Sequence, residues 1–293
     1  MKYNAFNLNI STDTDIPFLR HGHIQDAEAE IYVFRHSIPY YEQVSCGRND
    51  TWAINAYPEY VITYNRLPES PVIGELTIYT DDIHIFFELL AGKAFSLLLF
   101  ERNYFLLHAS AVVWNGFAYL FSGHSHAGKS TMAFAAYKYL DAAVLCDDIA
   151  PMKVLNGKLH IFPGAAKIKM RTVSSAELPP PADLCSDSYI KEDERNYLLD
   201  SRVCPVPVKS VIFLNRKSSI CEFAYSAYGP TKSRIYLSMN TYGRKALPSN
   251  LLNAAVDFIQ TNLALFNCRE LLYPDDLTQL KNMKLPEADS SET

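Results

Sequence analysis

The chain contains no Cys-x-x-Cys pair; its six cysteines, at positions 46, 146, 185, 204, 221 and 268, are scattered through 293 residues. That spacing argues against a structural zinc site or a disulfide framework and fits reduced thiols in a cytoplasmic setting. No run of lysine and arginine is present and the formal net charge is −5, so the electrostatic footprint of a nucleic-acid binder is missing. The polar opening, Met1-Lys-Tyr-Asn, has no signal-peptide pattern. The most apolar stretch, Ile83 to Leu107, is interrupted by Glu88, Lys93, Glu101 and Arg102, and is read as falling short of a membrane span. With 48% hydrophobic and 20% charged residues, the chain can bury a full core and is long enough for one large domain and a smaller one.

What is present is a phosphate-binding pattern in its full local context. The apolar run Phe117-Ala-Tyr-Leu-Phe-Ser122 leads into Gly123-His124-Ser125-His126-Ala127-Gly128-Lys129-Ser130-Thr131, followed by helix-forming residues. Glycines at 123 and 128 let the backbone turn so that successive N–H groups converge on a phosphate, and the new helix adds its dipole. Lys129 brings a mobile positive charge, and Ser130 is placed to put its hydroxyl on Mg²⁺. His124 and His126 contribute backbone as spacers, and Thr131 is either an α-phosphate contact or a first-turn helix residue. The predicted cofactors are ATP and Mg²⁺.

Downstream, Ala142-Ala-Val-Leu-Cys146 reads as a short buried strand that delivers Asp147 and Asp148 at its C-terminal end. Open α/β sheets bind ligands there, so both carboxylates are expected to face the phosphates. Asp147 is expected to accept the proton of an attacking hydroxyl and Asp148, with Ser130, to hold the metal; the reverse division stays open. Upstream, Tyr104 to Trp114 and the strand feeding the loop are predicted to form a hairpin about Asn115-Gly116.

These elements together resemble the HPr serine kinase/phosphorylase catalytic domain. The likeness rests on His108, on Gly123 to Ser130, and on Leu145-Cys-Asp147-Asp148-Ile-Ala-Pro151, with weaker continuation through Phe162-Pro-Gly164 and Pro205 to Leu214. The resemblance implies a P-loop kinase domain in which Asp147 and Asp148 serve as base and metal site, Lys129 binds phosphate and His108 lies close to the acids. Two features depart from the family. Lys167-Ile-Lys169-Met-Arg171 stands where a Glu-Ile-Arg-Gly-Leu-Gly stretch is expected, and the C-terminal phosphorylase signature has no match. Leu107-His-Ala-Ser110 with Ala127-Gly-Lys-Ser-Thr131 is more similar to the HPr-kinase-like enzymes, including lasso-peptide kinases, that phosphorylate a precursor-peptide serine.

The rest of the chain is read as an α/β arrangement with four parts: a β-rich domain over 1–80, a connecting helix over 81–102 capped by Asp81-Asp82, the kinase-like domain over 103–285, and a disordered tail over 286–293. Residues 174–207, with three prolines at 179–181 and the charged run Lys191 to Arg195, read as an irregular segment that is either a substrate flap or plain surface loop. Lys167, Lys169 and Arg171 alternate and so share one strand face, as a phosphate or peptide clamp or a solvated basic face. Arg244 is a further candidate for stabilising transferred charge. His21-Gly-His23 lacks an evident third metal ligand. The expected acceptor is a serine of a peptide or small protein. A small-molecule kinase and a nucleotide-gated binding protein are the alternatives, and homo-oligomerisation is compatible with the sequence.

Overall fold

The computed structural model describes residues 1–37, 51–56, 60–66, 72–164, 167–171, 178, 185–191, 194–198, 204–245 and 247–286. The chain divides into two compact units, Met1–Leu98 and Leu99–Thr293. In the first, strands β1 (Lys2–Ala5), β2 (Leu8–Thr12), β3 (Arg20–His21), β4 (Ala29–His36), β5 (Thr51–Ala56), β6 (Tyr60–Arg66) and β7 (Ile73–Tyr79) form one sheet in the order β3-β1-β2-β4-β7-β6-β5. Strands β4 and β7 alternate buried and part-exposed residues, with Ile31, Val33, Leu76 and Ile78 turned inward, the period-2 pattern of a sheet with one buried face. His21 lies tilted against Tyr3 with ring centroids 4.5 Å apart, and His23 Nε2 lies 3.0 Å from Asn9 Nδ2. No cluster of three metal-ligating residues occurs among the described residues.

Helices α1 (Ile83–Leu89) and α2 (Phe95–Glu101) are joined by a π-helical turn over Leu90–Ala94. As predicted, an aspartate starts this run: the Asp82 carboxylate accepts from the His84 N–H at 2.7 Å and the Ile85 N–H at 3.4 Å. The membrane reading needs correction on one point. Ile83–Glu101 spans 19 residues with a mean hydropathy of 1.7, long and apolar enough by composition to cross a membrane, because Glu88 and Lys93 are too few to lower it. Its apolar residues have partners within the protein, however: Phe95 packs edge-on against Phe6 and Phe87 against Phe18, while Phe86, Leu90 and Leu98 are fully buried.

The second unit contains β8 (Phe105–Trp114), β9 (Phe117–Ser122), α3 (Lys129–Leu140), β10 (Ala143–Cys146), β11 (Ile149–Leu155), β12 (Lys158–Ile161), β13 (Lys167–Arg171), β14 (Cys185–Lys191), β15 (Glu194–Leu198), β16 (Val206–Lys217), β17 (Ala224–Ala227), α4 (Pro230–Met239), α5 (Ser249–Asn262) and β18 (Cys268–Pro274). Eight strands form its main sheet in the order β10-β8-β11-β12-β16-β18-β17, with β9 paired to both β8 and β16. The predicted hairpin is present: β8 and β9 pair antiparallel from Ala109↔Ser122 to Trp114↔Phe117, and Asn115 and Gly116 both have positive φ, 50° and 82°, as a type I′ turn requires. Strands β9, β16 and β18 run parallel. The unit is therefore mixed α/β, with helices on both faces of the sheet.

Strand β8 decides which face is which. Phe105, Leu107, Ala109, Ala111 and Val113 join the core packed with α4 and α5, and Val112 joins the opposite core with Met132 to Ala136 of α3. By alternation His108 and Ser110 lie on the α3 face, toward the loop that starts α3. The 174–207 segment is less irregular than predicted. Strands β13, β14 and β15 form a three-stranded sheet in the order β13-β15-β14, because the charged run that hid periodicity lies where β14 turns into β15, at Lys191↔Glu194. Pro286, assigned to the tail, accepts a hydrogen bond from the Tyr119 hydroxyl at 3.1 Å; residues 287–293 fall outside the described set.

Phe105 is 1% exposed, stacks on Phe258 at 5.3 Å and meets Phe266 edge-on at 5.5 Å. Phe105→Ala should lower the stability of the second unit by about 3–5 kcal/mol, read by native-state hydrogen exchange of β8 and β9 amides. A loss below about 1 kcal/mol would contradict the packing of β8 on α5.

Candidate functional site

The loop from Gly123 to Gly128 leaves the C-terminal end of β9 and enters α3, with its tip at His124 to His126 exposed. Gly128 has φ of 83°, and a Cβ there would sit 2.6 Å from the Tyr273 hydroxyl, so only glycine satisfies both the left-handed backbone and the close approach. Gly123 has φ of 147°, and a Cβ would lie 3.2 Å from Ala127 Cβ and 3.4 Å from the Leu214 carbonyl oxygen. The Ala127 N–H bonds to the His124 carbonyl at 3.1 Å and closes the tip into a turn. Tyr273, at the end of β18, donates to the Ala127 carbonyl at 2.6 Å and braces the loop from outside. Helix α3 begins without a side-chain cap, which leaves its first-turn N–H groups directed at whatever anion approaches.

Lys129 is 7% exposed, and its ammonium donates to the carbonyls of Gly123 at 3.3 Å and His124 at 3.2 Å. The positive charge is thereby held at the mouth of the loop. Burial lowers its pKa, opposed by the charges of Asp148 and Asp147.

Both acids follow β10 as predicted, and the structure gives them different surroundings. Asp147 accepts from three donors on three elements: the Ser110 hydroxyl of β8 and the Ser130 hydroxyl of α3 (2.9 Å) on Oδ1, and the Lys169 N–H of β13 (2.8 Å) on Oδ2. Burial pushes the Asp147 carboxyl up to about 6, with the neighbouring Asp148 charge adding to the rise and the three hydrogen bonds opposing it. The residue as a whole is part-exposed, while its carboxyl is enclosed by these three donors and the elements that carry them. Asp148 holds a left-handed backbone at φ 67°, an uncommon conformation for a residue with a side chain. Its carboxylate lies 3.4 Å from Lys169 Nζ with 43% of the side chain exposed.

His108 is brought to the acids: its Nδ1 is 3.1 Å from the Asp148 carbonyl oxygen, and its ring centroid lies 6.0 Å from that of Tyr242. Burial lowers the His108 pKa and the Lys129 charge lowers it further, both favouring the neutral imidazole. Of the basic row, Lys169 meets the acids, and Lys167 shares its face while Ile168 and Met170 turn into the core. The Arg171 side chain lies outside the described residues. Arg244 is exposed on the turn after Tyr242, where its N–H bonds to the Thr241 carbonyl at 3.4 Å. The Ser130 hydroxyl donates to Asp147 at 2.9 Å, although the sequence assigns the metal to Ser130 together with Asp148 and leaves the reverse division open.

Two participants were missed. Ser110 was legible in principle, since it follows His108 by two residues on one strand and must share its face. Tyr273 carried no local signal, because it reaches the loop from 146 positions away.

The raised Asp147 pKa has a consequence for stability. An acid that holds its proton more tightly in the folded state than in the unfolded one, where its pKa is 3.8, favours the folded state at low pH, and that contribution is lost as pH rises from about 4 through about 6. In metal-free buffer the wild-type melting temperature should carry this downward component over pH 4–6, and Asp147→Asn should remove it. Identical pH profiles for the two proteins would contradict the burial of this carboxyl.

No family model matches the chain, and no curated protein matches it. Among solved structures, the Hpr(Ser) kinase/phosphatase from Coxiella burnetii is similar at 14% identity and a TM-score of 0.31, covering 60% of this chain and 91% of that one. A score of that size leaves the reading of function to the geometry of the loop and its acids.

Proposed function

We propose that this protein is an ATP- and Mg²⁺-dependent phosphotransferase that moves the γ-phosphate to a hydroxyl, that of a serine in a precursor peptide or small protein. The observation that carries this reading is the convergence on one point of a glycine-framed loop, a buried lysine and an acid pair. A scaffold that only gripped nucleotide would have no use for two carboxylates at that position, one of them buried and held by three donors. The first-turn N–H groups of α3 and the Lys129 ammonium hold the phosphates, and β9, β16 and β18 fix the loop beneath them.

The donors offered to a cation are a hydroxyl and carboxylates, all oxygen, which suits Mg²⁺ held by few protein groups and by the substrate's own phosphates. Ser130 and Asp147, already in contact, are the residues that would hold it; when bound, the ion neutralises phosphate charge. This reverses the division of labour expected from sequence. Asp148 is the more accessible acid, and its carboxylate takes the proton from the acceptor hydroxyl as that oxygen bonds to the γ-phosphorus and the bond to the β–γ bridging oxygen breaks, releasing ADP. Lys169, beside Asp148, and neutral His108 line the same approach. In phosphoryl transfer, positioning and charge stabilisation supply most of the catalysis, so these groups suffice.

The acceptor is the finest part of the proposal and rests on the form of the motifs around His108 and Lys129. Radiolabelled γ-phosphate should pass from ATP to a serine-containing precursor peptide, and a Ser→Ala peptide should not be labelled. Asp148→Asn should cut the transfer rate by about 10²–10⁴-fold with little change in the Mg²⁺ concentration required, whereas Asp147→Asn should raise that concentration. Labelling of a free metabolite and no peptide would overturn the acceptor while leaving phosphotransfer in place.

A further inference from the structure

Ser110 closes the Leu107-His-Ala-Ser110 run, in which no role was assigned to it. It sits in the middle of β8, is 0% exposed, and donates its hydroxyl to Asp147 Oδ1, the same oxygen that accepts from Ser130. On this side of β8, Val112 joins the apolar core and His108 lies by the acids, and a hydroxyl between them adds nothing to apolar packing. A buried hydroxyl is tolerated where it has a partner, and the Ser110 hydroxyl donates to the Asp147 carboxylate.

The geometry has a directional result. Oδ1 receives hydroxyls from a strand on one side and from the first turn of α3 on the other, while Oδ2 is held by the Lys169 N–H of β13. Without Ser110, Asp147 would retain one donor on each oxygen and could turn about its terminal torsion, which is intrinsically soft. With Ser110 in place the carboxyl plane is fixed. The Ser130 proton is thereby committed to Asp147, and the Ser130 oxygen keeps its lone pairs for a ligand on the loop side. We infer that Ser110 is a positioning residue of the phosphotransfer site: through its bond to Asp147 it orients the Asp147–Ser130 pair without itself touching nucleotide or acceptor. The inference rests on the phosphotransfer reading above and adds a residue to it.

A double-mutant cycle separates this role from plain packing. ATP hydrolysis to water serves as the probe reaction, and the four proteins are the wild type, Ser110→Ala, Asp147→Asn and the double variant. Ser110→Ala should lower kcat by about 10–100-fold, the range for loss of an orienting partner, and change KM for ATP by less than about twofold. The same substitution should cost little more in the Asp147→Asn background, and Ser110→Thr, which keeps the hydroxyl, should recover most of the rate. An equal loss in both backgrounds, a loss confined to KM, or no loss would overturn the proposal. If Ser110→Ala fails to fold, Ser110→Cys, close in size and a weaker donor, takes its place in the cycle. A wild type that binds ATP but never turns it over would count against the phosphotransfer reading alone. The same cycle read on the Mg²⁺ dependence of ATP affinity then decides Ser110, coupling supporting the proposal and additivity overturning it.

Discussion

The Asp147 carboxylate is the junction on which the second unit's working end depends. Its three donors come from β8, α3 and β13, elements separated in sequence and brought side by side only by the sheet. A buried carboxylate left unpaired costs several kcal/mol, so each donor both satisfies the charge and pins its own element. The raised pKa records what remains of the burial cost after the hydrogen bonds have acted. Ionisation is thus held close to neutrality instead of being fixed far below it.

Around that junction the charges are arranged in sequence. Lys129 faces the loop carbonyls, Lys169 faces Asp148, and His108 is pressed toward its neutral form by burial and by the nearby lysine charge. Two ammonium groups and two carboxylates thus lie close together and nearly cancel in formal charge. The stiffness of the loop has a separate origin: glycine conformations at 123 and 128, and the Tyr273 hydroxyl bonded to Ala127.

The loop, the β8–β9 hairpin and the position of the acids after β10 were legible because each is encoded locally. Gly128-Lys129-Ser130, Asn115-Gly116 and the apolar run before Asp147 carry their own backbone preferences. The alternation of Lys167 and Lys169 was legible for the same reason, although which of them meets the acids was not, since that depends on where β13 docks. Strands β14 and β15 escaped notice because their residues show little apolar alternation. The pairing of Ser130 with Asp147 was also hidden, because adjacent aspartates look equivalent until the backbone turn at Asp148, with φ of 67°, sends their side chains different ways. Tyr273 illustrates the general limit, since a residue that acts by reaching another element carries no motif of its own, and the Leu107-His-Ala-Ser110 run shows nothing of the bond from Ser110 to Asp147.

The central claim is that the Gly123 to Ser130 loop binds phosphate through Lys129. Calorimetric titration of ATP with Mg²⁺ into the wild type and into Lys129→Ala, with the melting transition of each recorded alongside, tests it most directly. The account predicts that the wild type binds and that the variant, still folded, loses affinity by about tenfold or more, equivalent to at least about 1.4 kcal/mol. Equal affinity in the two folded proteins would contradict it.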